Sequence, residues 1–117
     1  AARQEFAVHL IGWGSSDATS LGALMNVVGT SDRVRSLGAV NHHRYSNPRL
    51  DALVERALVT MDEPAREALL REGVKLAADD VAVIPLYNLV NIWGVRRGLR
   101  IEARTDERTL AMDIRPA

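Results

Sequence analysis

Tyr45-Ser46-Asn47-Pro48-Arg49-Leu50-Asp51-Ala52-Leu53 is the stretch on which the fold turns. The short Asn47 side chain can accept from the free N–H groups at a helix start, and Pro48 suits the first helical position, where no amide hydrogen is needed. Leu50, Leu53, Val54, Ala57, Leu58 and Met61 then recur at i, i+3, i+4, i+7, i+8 and i+11, the stripe of an amphipathic helix. Asp62-Glu63-Pro64 ends that helix and opens a second one by the same chemistry. The second helix is predicted to reach about Ala78, with Leu69, Leu70, Val74, Leu76 and Ala77 on a broad apolar side.

Upstream, Phe6 to Trp13 is an apolar run with one histidine, predicted to form a buried strand. Gly14-Ser15-Ser16-Asp17 is turn chemistry, and Leu21, Leu24, Met25 and Val28 predict a short helix from about Thr19 to Val28, stopped by Gly29. Thr30 to Tyr45 has no clean period and reads as a loop. Downstream, Asp79-Asp80 marks a break and Val81 to Val95 reads as extended. Pro85 within it denies a ladder hydrogen bond and favours an edge, bulge or bend. Arg96 to Arg115 is polar, and only Leu110-Ala111-Met112-Asp113-Ile114 hints at a last short strand. Strand, helix, helix, helix, strand argues for α/β packing in which helices cover a small sheet. Two or three strands suit a subdomain whose other strands come from a longer chain or a neighbouring copy.

The chain of 117 residues has room for one core and not for two. Its 15 basic and 15 acidic residues cancel, which removes the long-range attraction that nucleic acid or anionic lipid would need. No cysteine is present, so a disulfide framework, a thiolate nucleophile and a zinc–cysteine site are all excluded. No run approaches the roughly 20 apolar residues that span a bilayer, and no direct membrane insertion of this segment is expected. Ala1-Ala2-Arg3-Gln4-Glu5-Phe6 has neither a leader pattern nor an initiating methionine, as expected of a piece of a longer protein.

Catalytic patterns find little support. Gly12-Trp13-Gly14-Ser15-Ser16-Asp17 joins a strand to a helix, but Asp17 stands where a dinucleotide fingerprint needs its third glycine. The serines also lie outside the Gly-x-Ser-x-Gly frame of a nucleophile elbow. His9, His42 and His43 have no metal-ligand spacing; adjacent His42 and His43 diverge as loop histidines, and His9 reads as a satisfied histidine on a strand. No metal, no cofactor and no enzymatic activity are expected. The same Gly-Trp loop suits binding: tryptophan offers a flat face with an N–H handle, and the residues after it offer hydroxyl and carboxylate groups. The alternative is Trp13 packed in the core, with Ser16 or Asp17 capping the next helix.

The order of these motifs resembles the C-terminal region of the periplasmic solute-binding proteins of peptide/nickel-type ABC importers, extracellular solute-binding protein family 5. The Gly-Trp strand end with its small polar loop, Tyr45 to Leu53, Asp62-Glu63-Pro64-Ala65-Arg66-Glu67-Ala68-Leu69, Ile84-Pro85-Leu86-Tyr87 and Asp106-Glu107-Arg108-Thr109-Leu110 carry the likeness, from about Phe6 to Arg115. The resemblance implies a fragment of the second lobe of a two-lobed ligand trap, with residues 1–93 in that lobe and 94–117 returning toward lobe I. It implies capture of a peptide or other small solute outside the cytoplasmic membrane, and delivery to an ABC permease. Trp13 would form a wall of the cleft, with Gly14, Ser15, Ser16 and Asp17 as polar contacts. Peptide binders of the family pair an aspartate soon after Gly-Trp with the ligand's amino group; here Ser16 stands third after Trp13 and Asp17 one place later. Two other readings are a self-contained protein-interaction domain docking through the helix pair 47–78, and a small hydrolase using Ser15 or Ser16.

Overall fold

The helix pair is where its caps place it. In the structure, a computed structural model that describes residues 8–15, 19–104 and 106–117, Asn47 is extended and accepts from the Arg49 and Leu50 amides at 3.0 and 3.4 Å. Helix α2 follows over Pro48–Val59. Asp62 accepts from the Ala65 amide at 2.9 Å and starts α3, Glu63–Asp79. So short a connection forces the two helices to lie antiparallel against each other. Their far ends are tied as well. The Tyr45 hydroxyl and the Asn47 amide both donate to the Asp80 carboxylate, at 2.5 and 2.7 Å. Those two bonds lower the Asp80 pKa, whereas burial first and the Asp80 bond second raise that of Tyr45.

Leu50, Leu53, Val54 and Ala57 of the predicted stripe are buried, but Leu58 and Met61 are not. Leu58 stands roughly 80° round the helix from Leu50, and Met61 lies past the helix end, where the helical period no longer applies. On α3 the buried positions are Leu70, Gly73 and Ala77, while Val74 is exposed. Gly73 is a close approach: a Cβ there would lie 3.0 Å from Leu24 Cδ1.

The predicted helix before Gly29 is shorter and wider than its spacing implies. Helix α1 begins at Leu21–Ala23 and its last turn, Leu24–Val28, is π-helical. The Gly29 amide reaches back to the Leu24 carbonyl at 2.7 Å. The carbonyls left over at its end are taken by the next loop, where Gly38 N donates to Met25 O and Val40 N to Asn26 O. Buried Asp51, in the first turn of α2, accepts from the Thr30 amide at 2.9 Å and ties α1 to α2. Residues 30–45 are irregular, as expected, yet the loop is firmly built. Asp32 turns it by accepting from Val34 and Arg35. Leu37 enters the core, and the Asn41 amide donates to the carbonyls of Gly29 and Tyr45.

The expected buried strand is not formed over its described part. Residues 8–13 make no ladder, and Val8 and Leu10 are 82% and 77% exposed. An apolar run becomes a strand only when a neighbour takes its amides, and none does so among the described residues. Phe6 and Ala7 lie outside those residues.

The chain divides into two compact units, up to Ile84 and from Pro85 onward. The core of the first is helix on helix, built around Leu24, Val28, Leu50, Val54 and Leu70. In the second, residues 85–96 have no regular structure. Strand β1, Leu99–Ile101, pairs antiparallel with β2, Ile114–Pro116, with Arg100 opposite Arg115. The final strand therefore begins where it was expected to end, because Ala111–Asp113 forms a 3₁₀ turn. Arg104 grips Asp106 with two bonds, at 2.8 and 2.5 Å, and lies 3.6 Å from Asp113. The guanidinium holds the Asp106 carboxyl at about 2. The architecture is mixed helix with a two-stranded antiparallel sheet, compatible with the α/β class.

Candidate functional site

The Gly-Trp loop is at the surface. Trp13 is 42% exposed, and its ring edge rests on α1, with Cζ2 3.8 Å from where a Gly22 side chain would begin. Gly14 and Ser15 follow, both exposed, and Ser15 Oγ donates to the Thr19 carbonyl at 2.8 Å. That bond closes the loop onto the residues before α1, and Thr19 Oγ1 in turn accepts from the Leu21 amide at 3.3 Å. Ser16 and Asp17, the remaining two predicted contacts, lie outside the described residues.

Thr19 and Ser20 form one lip of an open groove of about 580 Å³ whose opposite wall is α3. Leu70 and Val74 supply an apolar floor, flanked by Glu63, Arg66, Glu67, Arg71 and Lys75. Two of the cations are already matched, Arg71 to Glu67 at 2.7 Å and Lys75 to Asp79 at 2.5 Å. These exposed pairs contribute little to stability. The groove therefore carries mixed charge over a greasy strip, a surface that suits a small amphipathic solute better than a polyanion. Trp13 and Gly14 stand outside its walls, and the bond from Ser15 to Thr19 joins their loop to it.

A second constellation was not legible in the sequence. His9, His42 and His43 come together: the His9 ring centroid is 5.9 Å from that of His42 and 6.1 Å from that of His43. His43 also stacks on Tyr45 at 6.4 Å. Nε2 of His9 and Nε2 of His43 are both buried without a partner, so the expectation of a satisfied His9 is not met. Burial, and then the neighbouring His9 and His42, lower the His43 pKa. Among the described residues no three His, Cys, Asp or Glu side chains converge to hold a metal ion. Nothing in the local sequence could have revealed the cluster, because 33 residues separate His9 from His42.

No family model matches the chain, and no match is found among curated proteins or solved structures. Among the described residues, no helix is long and apolar enough to cross a membrane.

Proposed function

We propose that this chain is the C-terminal part of the ligand-binding lobe of a two-lobed receptor, the substrate-binding component of an ABC importer. In this reading it captures a peptide or other small solute outside the cytoplasmic membrane. The observation that carries the reading is the Trp13 loop, an exposed indole beside the start of α1, linked through Ser15 and Thr19 to an open amphipathic groove. The ordered motifs of the sequence add to it.

The segment after α3 also supports a missing neighbour. Ile84, Leu86, Leu89, Val90 and Ile92 are 63–88% exposed, and their backbone is in no ladder. Apolar side chains exposed along an unpaired chain suit a segment that packs only beside a partner. In an intact receptor, solute contacts to both lobes would favour the closed form, so binding energy would drive hinge closure. One lobe alone has half of those contacts. The exposed Val59 and Met61 at the turn between α2 and α3 favour the interaction-domain reading instead, since an apolar helix-pair end is a docking feature.

The test is calorimetry on the longer gene product and on the 117-residue chain, titrated with small peptides. The longer protein is expected to bind, and Trp13→Ala to weaken it at least about tenfold, as loss of a stacked aromatic does. The isolated chain is expected to bind no tighter than about millimolar. Tight stoichiometric binding by the isolated chain, or an unaltered affinity in Trp13→Ala, would refute the placement of the cleft.

A further inference from the structure

We infer that His9, His42 and His43 form an acid-sensitive latch that holds the segment 8–15, and with it Trp13, against the rest of the first unit. Val8, Leu10 and Ile11 are exposed, so the segment buries little apolar surface. Among the described residues its side-chain attachments include His9 among the two loop imidazoles, Trp13 beside Gly22, and Ser15 on Thr19.

Imidazoles without charge can pack at the observed spacing of about 6 Å with favourable contact. Once protonated, the same rings place like charges side by side, partly out of water. The surroundings offer little relief. On the segment itself, Val8 to Ser15 include no titratable group except His9. On the loop, Tyr45 faces His43 with its ring, and its hydroxyl is committed to Asp80. Arg44, next in sequence, is exposed and adds positive charge. Asp80 and Asp51 act on Tyr45, while the charges that act on His43 are those of His9 and His42.

The sign follows from the lowered His43 value. A histidine whose folded pKa lies below its ordinary value of about 6.5 leaves the docked state fully stable above that pH. Stability is lost as pH falls through about 6.5 toward the lowered value, because the released form binds the proton more readily. The ratio of released to docked segment rises by at most about tenfold for each unit by which the docked value is lowered. The latch does not depend on the solute-binding reading. If both hold, mild acid frees the tryptophan-bearing loop and weakens solute capture.

The test is NMR of the uniformly labelled chain from pH 8 to 5, following the three imidazoles and the backbone amides. The amides of residues 8–15 are expected to move to random-coil positions with the midpoint of His43, below 6.5, while those of α2 and α3 stay in place. His9→Gln, which removes the central imidazole, is expected to return His43 toward its ordinary midpoint and to abolish the transition in residues 10–15. Should that variant fail to fold, His42→Gln and the wild-type titration carry the decision. Independent titration of the three rings with no movement of residues 8–15 would overturn the latch. So would loss of the α2 and α3 signals at the same midpoint, or an unchanged transition in His9→Gln.

Discussion

Leu50→Ala is expected to take away about a third or more of the first unit's stability. Leu50 has no exposed surface and sits among Leu24, Val28, Val54, Leu70 and Ala77, where two helices and the π-turn meet. Removing its isobutyl group loses the transfer free energy of the side chain and leaves a void that rigid helix backbones cannot close. Such substitutions cost about 2–5 kcal/mol. Small domains have about 5–15 kcal/mol in total, and a unit of this size belongs near the lower end. Urea unfolding followed by far-ultraviolet circular dichroism measures it. The midpoint is expected to fall by about a third or more, with most of the helical signal lost at low denaturant. A loss under about 1 kcal/mol, the range of surface substitutions, would mean that α1, α2 and α3 do not share this core.

Gly38→Ala is the second large effect, and its cause is the backbone. Gly38 has φ +63°, and a Cβ there would lie 2.5 Å from the Gly29 carbonyl oxygen and 2.6 Å from Ser31 Cα. Both are backbone atoms, so no side chain can swing aside. The left-handed conformation itself costs a non-glycine residue about 1–2 kcal/mol. Relieving the clash would break the bond from Gly38 N to Met25 O and pull neighbouring Leu37 from the core. A total of about 2–4 kcal/mol is expected. Gly94→Ala is the control: nothing lies within 4 Å of its Cβ position, and a change within about 0.5 kcal/mol is expected. If the two variants unfold at the same urea concentration, the loop is not built on Gly38.

The contrast between those glycines shows why some of the fold is legible in the residues and some is not. Asn47-Pro48 and Asp62 cap helices by contacts two and three residues away, so their signal is local, and both caps form as expected. The stripe of α2 is local too, and it fails only at Leu58 and Met61, at its rim and beyond the helix end. Strand formation depends on partners that the residues themselves do not specify. The apolar run ending at Trp13 therefore forms no strand over its described part, and Leu99–Ile101 forms one within a polar stretch. The π-helical turn and the entry of Leu37 into the core arise from tertiary contacts and leave no periodic trace. Of the candidate site, Trp13, Gly14 and Ser15 lie at the surface, while the α3 side of the groove carries no signal in the residues beyond that of a helix. The histidine cluster joins groups far apart in the chain, which no spacing rule captures.

The open reading frame around this segment tests the central claim most directly, by sequencing the genomic DNA on either side. A receptor lobe predicts several hundred further residues upstream, led by a secretion or lipoprotein signal, with permease and ATPase genes alongside. A gene that starts and stops at these 117 codons, among genes without transport functions, would contradict it.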